Sequence, residues 1–410
     1  MTLPEQHYGV WLRDLRVGTL AQRGDHTRFV LAENYLADPH RPVLGLVFEQ
    51  DLGARHAAAP RLPCWFSNLL PEGRLRDWIA AERHVSAQRE MELLAQVGHD
   101  LPGAVRIRPV HASEDDEHAP WEPASELSAA SAESVGSPWR FSLAGVALKF
   151  SMLAEYDRLT LPATGVGGDW IVKLPDRVYP DVPRNEFTMM TLAGAAGIDV
   201  PEVRLVHRDA MNGLPAGVWP DHEDWAYAVR RFDRTPGRDL VHIEDLAQVR
   251  NVYPDDKYTG NYESVGALLF RSHDTGSLQE FVRRLVFTVL ISNGDAHLKN
   301  WSLRYTDPRV PTIAPAYDLV STRFYMGDDE ELGLKFGGSK RFERFRLSTF
   351  ERLERRLRVT AGLVDVGREV IDRVQAHWPD VAGSLHDTPG LRRDIEGSIA
   401  ERAQSLVSGP

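Results

Sequence analysis

The sequence predicts an α+β fold of two lobes, a β-rich lobe followed by a helical lobe, with an extra N-terminal subdomain in front of them. Its 410 residues are too many for one ordinary hydrophobic core. Short strand-like runs are frequent in residues 140–236, whereas longer helix-like runs follow in residues 237–410. Because ligand sites favour the interface between such units, we expect the functional site in the cleft between the lobes.

Residues 1–110 predict the N-terminal subdomain, a compact unit of strands and helices. The runs YGVWLRDLRVGTLAQ and TRFVLAENYL are typical of short strands around a turn. The run LLPEGRLRDWIAAERHV is typical of a helix, with Pro71 near its start and Glu72 in its first turn. Residues 111–139 are rich in Ser, Ala, Glu and Pro, which predicts an acidic linker or a poorly ordered loop.

The two lobes differ in their patterns. In the first, DWIVKLP and WAYAVRRFDR predict strands, and RNEFTMMTLAGAAG predicts a helix whose last turn meets Gly197. In the second, four runs predict helices: IEDLAQVRNVY, LQEFVRRLVFTVLISN, FERLERRLRV and AGLVDVGREVIDRVQAHW. Between the second and third of these, WSLRYTDPRVPTIAPAYDLVS predicts two strands around a turn.

Composition narrows the function classes. No apolar stretch approaches the roughly 20 residues that a membrane helix needs, and the N-terminus lacks the basic-then-apolar order of a secretory signal. The single cysteine, Cys64, excludes an intramolecular disulfide and a multi-cysteine zinc site. We therefore expect a cytoplasmic protein. The net charge of −11 makes the surface as a whole poorly suited to nonspecific nucleic-acid binding.

The run ISNGDAHLKN, residues 291–300, carries the strongest chemical signal. Its Asp295 precedes Asn300 by five positions, and Asp318 follows after the predicted hairpin. Phosphoryl transfer needs one carboxylate at the acceptor hydroxyl, and an amide and a second carboxylate on magnesium. Protein kinases place their catalytic Asp and metal-binding Asn at the same spacing. Although an Asp-rich loop after a helix is often only a turn, this combination favours a kinase-like site.

Two further segments fit a kinase-like nucleotide site. Lys173 lies in the predicted strand DWIVKLP, and Glu186 in the following helix is a candidate partner, as in the strand-lysine and helix-glutamate pair of kinases. A lysine that reaches solvent from the strand end is the simpler alternative. In FSLAGVALKFS, Ala144 and Gly145 would let backbone amides approach phosphate and Lys149 would add charge, although many strand–turn junctions look similar.

Other chemistries lack their motifs. The sequence has no G-x-x-x-x-G-K-[ST], no H-E-x-x-H and no G-x-S-x-G. A metallophosphoesterase reading of NGDAHLKN would need further His and Asp ligands in tight motifs. The histidines His207, His222 and His242 do not supply them, so a hydrolase is the weaker interpretation.

Motifs along nearly the whole chain resemble the HipA family of bacterial toxin kinases, from type II toxin–antitoxin modules. They include FSNLLPEGRLRD, LLAQVGHDLPGAV, SLAGVALKFS, DWIVKLP, AVRRFDR, SNGDAHLKNWSL and PAYDLVS. The last two are the most specific. The resemblance implies a protein-kinase-like fold and phosphorylation of serine or threonine with ATP and Mg²⁺.

The resemblance also implies site residues. Asp295 would accept the proton, and Asn300 and Asp318 would hold magnesium. The residues implied to surround ATP are Ala144, Gly145, Val146, Ala147, Leu148, Lys149, Lys173, Arg230, Arg231, Phe232, His297, Leu298, Lys299, Asn300, Tyr317 and Asp318. The first six would form the loop on the phosphate side, and Arg230 to Phe232 the hinge on the adenine side.

Ser142 matches the family's autophosphorylated serine, which implies a self-limiting switch. A phosphate there would add about −1.5 to −2 charges beside a site for polyphosphate. A serine that merely ends a strand is the structural alternative. Two positions depart from the family pattern: Ala147 stands where Gln is common, and Arg230 where the hinge is usually acidic. The first leaves the strength of ATP binding and the loop's dynamics open.

By resemblance, the partners would be a DNA-binding, HipB-like antitoxin, operator DNA contacted through that antitoxin, and an aminoacyl-tRNA synthetase as substrate, glutamyl-tRNA synthetase in particular. Inhibited translation and persistence would follow. Two alternatives stay open: a catalytically weak homologue that serves as a co-repressor with the antitoxin, and a small-molecule phosphotransferase, since antibiotic and sugar kinases use a similar loop.

Overall fold

The computed structural model describes residues 4–110, 148–155, 158–160, 167–214, 217–220, 222–327 and 331–408. The predicted linker 111–139, Ser142 and the segment Ala144–Ala147 lie outside these residues, so their predictions are not tested by the structure. The boundaries proposed for the subdomain and the two lobes likewise stay predictions. The observed mixture of strands and helices confirms the α+β class.

The N-terminal unit is built on a five-stranded antiparallel sheet of order β4-β3-β2-β1-β5. Its strands are β1 (Glu5–Leu12), β2 (Leu15–Arg23), β3 (His26–Leu31), β4 (His56–Ala58) and β5 (Val105–Val110). Its helices are α1 (Glu33–Ala37), α2 (Leu46–Gln50), α3 (Cys64–Ser67), α4 (Gly73–Glu82) and α5 (Glu90–Val97). The predicted helix after LLPEG is therefore confirmed, but it begins at Gly73, and Glu72 occupies the N-cap position, without a side-chain capping bond, rather than the first turn.

The β-rich lobe contains a six-stranded sheet of order β10-β7-β6-β8-β11-β9 and one long helix. The strands are β6 (Lys149–Glu155), β7 (Arg158–Thr160), β8 (Trp170–Lys173), β9 (Val203–His207), β10 (Met211–Asn212) and β11 (Trp225–Arg230). The helix is α6 (Val182–Ala195), with Pro183 in its first turn, where the missing amide hydrogen costs nothing. The sequence predicted both DWIVKLP and WAYAVR as strands, and both are confirmed.

The helical lobe also contains a small sheet of order β12-β13-β14. Its strands are β12 (His242–Asp245), β13 (Ser302–Tyr305) and β14 (Thr312–Ile313). Its helices are α7 (Leu246–Val249), α8 (Tyr262–Leu269), α9 (Thr275–Leu290), α10 (Arg323–Met326), α11 (Ser348–Leu357), α12 (Leu363–Val381) and α13 (Pro389–Val407). None of the helices in the described part of the chain meets the length and apolarity that a membrane span requires.

The helix predicted for IEDLAQVRNVY is wrong in its first half. Residues His242–Asp245 pair with β13, and only Leu246–Val249 form a helical turn. Asp245 explains the change, because it accepts from the Gln248 amide while the Gln248 side chain accepts from the Asp245 amide. This reciprocal capping begins the helix at Leu246 and leaves Asp245, at the strand end, facing the region of the candidate site.

Three hydrophobic cores correspond to the three parts of the chain. The N-terminal unit has its own core, with Trp65 and Phe66 fully buried, and the β-rich sheet has a smaller one around Met152 and Val172. The largest core belongs to the helical lobe but also includes Met190 of α6. Helix α6 therefore packs on the helical lobe although it follows β8 in sequence, and it joins the two lobes.

Glu244 fastens the N-terminal unit to the helical lobe. Its buried carboxylate accepts hydrogen bonds from the Leu46 amide at 3.0 Å and from the Trp65 indole at 3.1 Å, both in the N-terminal unit. On its own side it accepts from the Tyr305 hydroxyl. Burial raises the pKa of Glu244 to about 7. A buried acceptor that serves three donors is costly to remove, because each donor is left unsatisfied.

We expect Glu244→Ala to lower the free energy of unfolding by about 3 kcal/mol, since several buried donors lose their acceptor. Glu202→Ala serves as the control, because the Glu202 side chain is 57% exposed at the protein surface. Urea denaturation followed by tryptophan fluorescence measures both. Equal midpoints for the two variants would contradict the role assigned to Glu244.

Candidate active site

The loop after helix α9 is held by a dense set of main-chain contacts. The Gly294 amide donates to the Thr322 hydroxyl at 2.8 Å, and the Asp295 amide donates to the Asn293 side chain at 2.9 Å. The side-chain Nδ2 of Asn300 donates to the Asp295 carbonyl at 2.9 Å. The high density of polar residues in NGDAHLKN therefore has a structural use as well, because it fixes the loop that carries Asp295.

The Asp295 carboxylate meets a residue that the sequence did not single out. Tyr258, from the loop before α8, donates its hydroxyl to Asp295, and its ring lies edge-on to His297 at 5.0 Å. The His297 Nε2 lies 3.9 Å from the same carboxylate. Tyr258 is 37 residues from Asp295 in the chain, and no short motif joins them, so only the fold brings them together.

Lys173 bridges two acidic side chains from different elements. Its ammonium donates to Glu186 of α6 at 2.6 Å and to Asp318. The predicted pairing of Lys173 with Glu186 is thus confirmed, and the alternative of a solvent-directed lysine is wrong. Asp318 itself has a left-handed backbone with φ of 56°, which is costly outside glycine and is found preferentially at functional sites.

The charges in this cluster influence one another strongly. Although burial opposes charge, Asp318 and Glu186 raise the pKa of Lys173, while Lys173 and Lys149 lower that of Asp318. Burial raises the pKa of Glu186 to about 7, and Asp318 adds to this effect against the influence of Lys173. The lysine is thus firmly cationic and Asp318 firmly anionic, as a phosphate-binding cation and a metal-binding carboxylate must be.

Lys149 enters the same site from the neighbouring strand. It lies directly opposite Lys173 in the antiparallel pairing of β6 with β8. Burial and the facing lysine lower its pKa, while Asp318 acts in the other direction. Two cations that face each other at the ends of neighbouring strands suit an anionic group, because a polyphosphate would relieve their mutual repulsion. Leu148, the residue before it, is partly buried.

The predicted hinge contributes fewer side chains than expected. Arg230 is exposed and pairs with Glu202. Arg231 is buried and pairs with Asp233 and Asp100, both at 2.8 Å, so its guanidinium is used in anchoring the N-terminal unit. Phe232 is different, because its ring lies 5.6 Å from that of Tyr317. From Arg230 and Arg231, a ligand could therefore use main-chain groups only.

His297 presents unused hydrogen-bonding groups. Its side chain is buried, and neither ring nitrogen has a hydrogen-bond partner within the described residues. Burial lowers the pKa of His297 to about 4, so the imidazole is neutral near pH 7 and can both donate and accept. Buried polar atoms nearly always have partners, and an unpaired histidine beside Asp295 is what a site for a polar ligand would show.

Leu298 and Lys299 do not point where the sequence suggested. Leu298 is fully buried in the core of the helical lobe, so only its main chain could contact a ligand. The Lys299 ammonium donates to the Asn68 carbonyl at 2.8 Å and to Asp245 at 3.0 Å. Lys299 therefore binds the N-terminal unit. The Tyr317 hydroxyl donates to the Lys299 carbonyl at 2.8 Å, which places Tyr317 against the loop.

The oxygen donors at this site suit a magnesium ion. The side-chain amide of Asn300 uses its nitrogen on the Asp295 carbonyl, which leaves its oxygen for a ligand, and Asp318 supplies a carboxylate. Within the residues described here, no three His, Cys, Asp or Glu side chains form a candidate metal cluster. One carboxylate and one amide are nonetheless a common protein share for Mg²⁺, which takes its other oxygens from phosphates and water.

The site combines a strand lysine paired with a helix glutamate, a loop of the catalytic type and a second aspartate. It lies between a β-rich lobe and a helical lobe. These features together define the protein-kinase-like class. Comparison with known proteins agrees. Residues 141–378 match the family profile described as HipA-like C-terminal domain, and residues 8–108 match the HipA N-terminal domain profile. This chain belongs to the HipA family.

Individual relatives cover most of the chain. It is 45% identical to a Sinorhizobium fredii protein named "Putative kinase Y4dM" over 372 residues, 88% of each chain. It is 26% identical to the serine/threonine-protein kinase toxin HipA of Shewanella oneidensis, over 80% of this chain and 77% of that one. A structure of Shewanella oneidensis HipA with HipB and operator DNA superposes with a TM-score of 0.74 at 20% identity, covering 97% of both chains. That likeness confirms the kinase-like fold.

The raised pKa of Glu186 gives a testable pH dependence. Its folded value of about 7 exceeds the ordinary 4.5, so the folded state binds the proton more tightly and this group's contribution to stability falls as the pH rises from about 4.5 to 7. We expect Glu186→Gln to flatten the pH dependence of the unfolding free energy in that window. Chemical denaturation at pH 5, 6 and 7 measures it. The control Glu202→Gln should keep the wild-type slope, and an unchanged slope in Glu186→Gln would contradict the assignment.

Proposed function

We propose that this protein is a serine/threonine protein kinase that uses ATP and magnesium. The ion cluster of Lys173 with Glu186 and Asp318, which meets the loop carrying Asp295 and Asn300 through the Asn293 side chain, is the observation that carries the proposal. A strand lysine, a loop with an aspartate and an asparagine, and a second aspartate after a hairpin are the chemical groups that phosphoryl transfer needs. The membership in the HipA family supports the same reaction class.

The proposed roles follow the positions of the side chains. Lys173 and Lys149 would bind the phosphates, and Phe232 and Tyr317 would line the adenine side. The ring nitrogens of His297, which lack hydrogen-bond partners among the described residues, would bind polar groups of the nucleotide. Asn300 and Asp318 would hold Mg²⁺, which neutralises phosphate charge when bound. The segment Ala144–Ala147 would close the phosphate side, as its resemblance to the family loop suggests.

Asp295 would act on the acceptor. Its carboxylate would accept the proton of a serine or threonine hydroxyl while that oxygen forms a bond to the terminal phosphorus of ATP. The bond from that phosphorus to the bridging oxygen breaks, and ADP leaves with the electron pair. Tyr258, which donates to Asp295, would fix the orientation of the carboxylate, so that one of its oxygens faces the acceptor.

We further propose that the protein is the toxin of a toxin–antitoxin module in the cytoplasm. The Shewanella oneidensis relative is named a kinase toxin, and the similar structure contains HipB and operator DNA. A HipB-like antitoxin, and DNA bound through it, are accordingly the proposed partners. An aminoacyl-tRNA synthetase similar to glutamyl-tRNA synthetase is the proposed substrate, with inhibited translation and persistence as the result. Family resemblance alone supports the substrate.

Autophosphorylation at Ser142 is proposed as the device that limits the activity. Ser142 lies seven positions before Lys149 in the chain, next to the segment proposed to cover the phosphates. A phosphate on that serine would bring about −1.5 to −2 charges to a site that must receive ATP, so the modified loop would be repelled by the nucleotide.

The first experiment is intact-mass spectrometry of the dephosphorylated protein after incubation with Mg·ATP. We expect a gain of one phosphate, located at Ser142, in the wild type and no gain in Asp295→Asn, because the variant lacks the proton acceptor. Asp372→Asn, an exposed residue of α12, is the matched control and should gain phosphate like the wild type. Absence of both phosphate gain and ATP binding in the wild type would overturn the kinase proposal.

Tyr258→Phe tests the orientation of Asp295. A hydrogen bond to a charged group contributes about 1.5–3 kcal/mol, so we expect kcat to fall by about tenfold or more. The KM for ATP should change little, since phenylalanine keeps the ring contact with His297 and only the hydrogen bond to Asp295 is lost. Steady-state kinetics on a phosphorylatable protein or peptide would measure both. Tyr179→Phe is the control, and a kcat equal to that of the control would refute the role.

A further inference from the structure

The segment Asn68–Gly73 of the N-terminal unit lies directly against the candidate active site. Asn68 accepts the Lys299 ammonium on its carbonyl at 2.8 Å and on its side-chain oxygen at 3.2 Å. Its side-chain nitrogen donates to the Val252 carbonyl at 2.8 Å. One asparagine thus joins the N-terminal unit to both the catalytic-type loop and the segment after α7.

Glu72 makes the charged part of this junction. Its two carboxylate oxygens meet two different lysines, Lys257 at 2.7 Å and Lys299 at 3.4 Å. The side chain is 26% exposed and that of Lys257 only 11%, so solvent screens the pair weakly. Although burial opposes it, Lys299 and Lys257 lower the pKa of Glu72 to about 2. The carboxylate is therefore ionised throughout the physiological range.

The two lysines are connected to Asp295 through short paths. The Lys257 carbonyl accepts from the Leu298 amide at 3.0 Å, and the next residue, Tyr258, donates to Asp295 itself. Lys299 is four positions after Asp295. An ion pair that holds Lys257 and Lys299 therefore restrains both segments that shape the surroundings of the Asp295 carboxylate.

Charge balance gives Glu72 a second effect. Lys257 and Lys299 carry two positive charges, and Glu72 and Asp245 carry two negative ones, so the group is neutral. Without Glu72 one buried ammonium would lack its partner near Asp295. Because an unpaired buried charge is costly, that lysine would turn toward the remaining carboxylates. Asp295 would then be drawn into an ion pair and away from an acceptor hydroxyl.

We propose that Glu72 is a positioning residue for catalysis, and that the N-terminal unit completes the active site by holding Lys257 and Lys299 in place through it. This inference rests on the proposed kinase function for its catalytic part. Its structural part does not depend on that function, because the ion pair restrains residues 292–300 whether or not the protein transfers phosphate.

Glu72→Gln tests the inference, with Glu82→Gln as the matched control at the exposed end of the same helix α4. Hydrogen–deuterium exchange of the full-length protein should show faster exchange in residues 292–300 for Glu72→Gln only. In kinase assays kcat should fall by about tenfold or more, a larger factor than the rise in the KM for ATP, since Lys173 and Asp318 lie outside the loosened loop. Glu72→Asp, which keeps the charge, should recover part of the loss.

A second variant keeps the test decisive if Glu72→Gln unfolds. Lys257→Met removes the other half of the ion pair, and it should likewise speed exchange in the loop. The double variant should be no worse than the more affected single one, because the two residues act through one interaction. Unchanged exchange and unchanged kcat in Glu72→Gln, or fully additive losses in the double variant, would overturn the inference. Faster loop exchange in a protein whose wild type transfers no phosphate would uphold the structural restraint through Glu72 and reject the kinase function.

Discussion

The ion cluster of Lys173 with Glu186 and Asp318 is the interaction on which the arrangement of the site depends. Each member comes from a different part of the fold: Lys173 from the β-rich sheet, Glu186 from the helix between the lobes, and Asp318 from the helical lobe. The three side chains are largely buried, and separating them would leave unpaired charges away from water. The cluster therefore ties the β-rich sheet, helix α6 and the helical lobe together at one point.

A second set of buried charges joins the N-terminal unit to that cleft. Glu244 accepts from two groups of the unit, Arg231 reaches Asp100, and Lys299 reaches Asn68. These contacts are polar, and the one between Lys299 and Asn68 reaches the loop that carries Asp295. They support a view in which the N-terminal unit contributes to catalysis, as the proposed role of Glu72 requires.

Several side chains of the candidate site could be assigned from the sequence because the residues that act together are close to one another in the chain. The spacing of Asp295 and Asn300 within one loop, and of Lys173 and Glu186 in a strand and the next helix, follows from short-range geometry. Tyr258 and Glu72 could not be found in this way, since each meets the loop across a long stretch of chain. Lys299 was assigned to the nucleotide by motif, yet its ammonium binds Asn68 and Glu72 of the N-terminal unit as well as Asp245, and no local pattern reveals these partners.

The sequence by itself determined the α+β class, the strands and helices with clear periodicity, and the motif of a kinase-like loop, because these depend on neighbours a few residues apart. The tertiary structure decided which charges pair. It turned the start of IEDLAQVRNVY into a strand through pairing with β13, it directed Arg231 away from the cleft, and it placed Tyr258 on Asp295. The physical reason is common to all three: hydrogen bonds and ion pairs between distant residues depend on where the packed cores place their backbones.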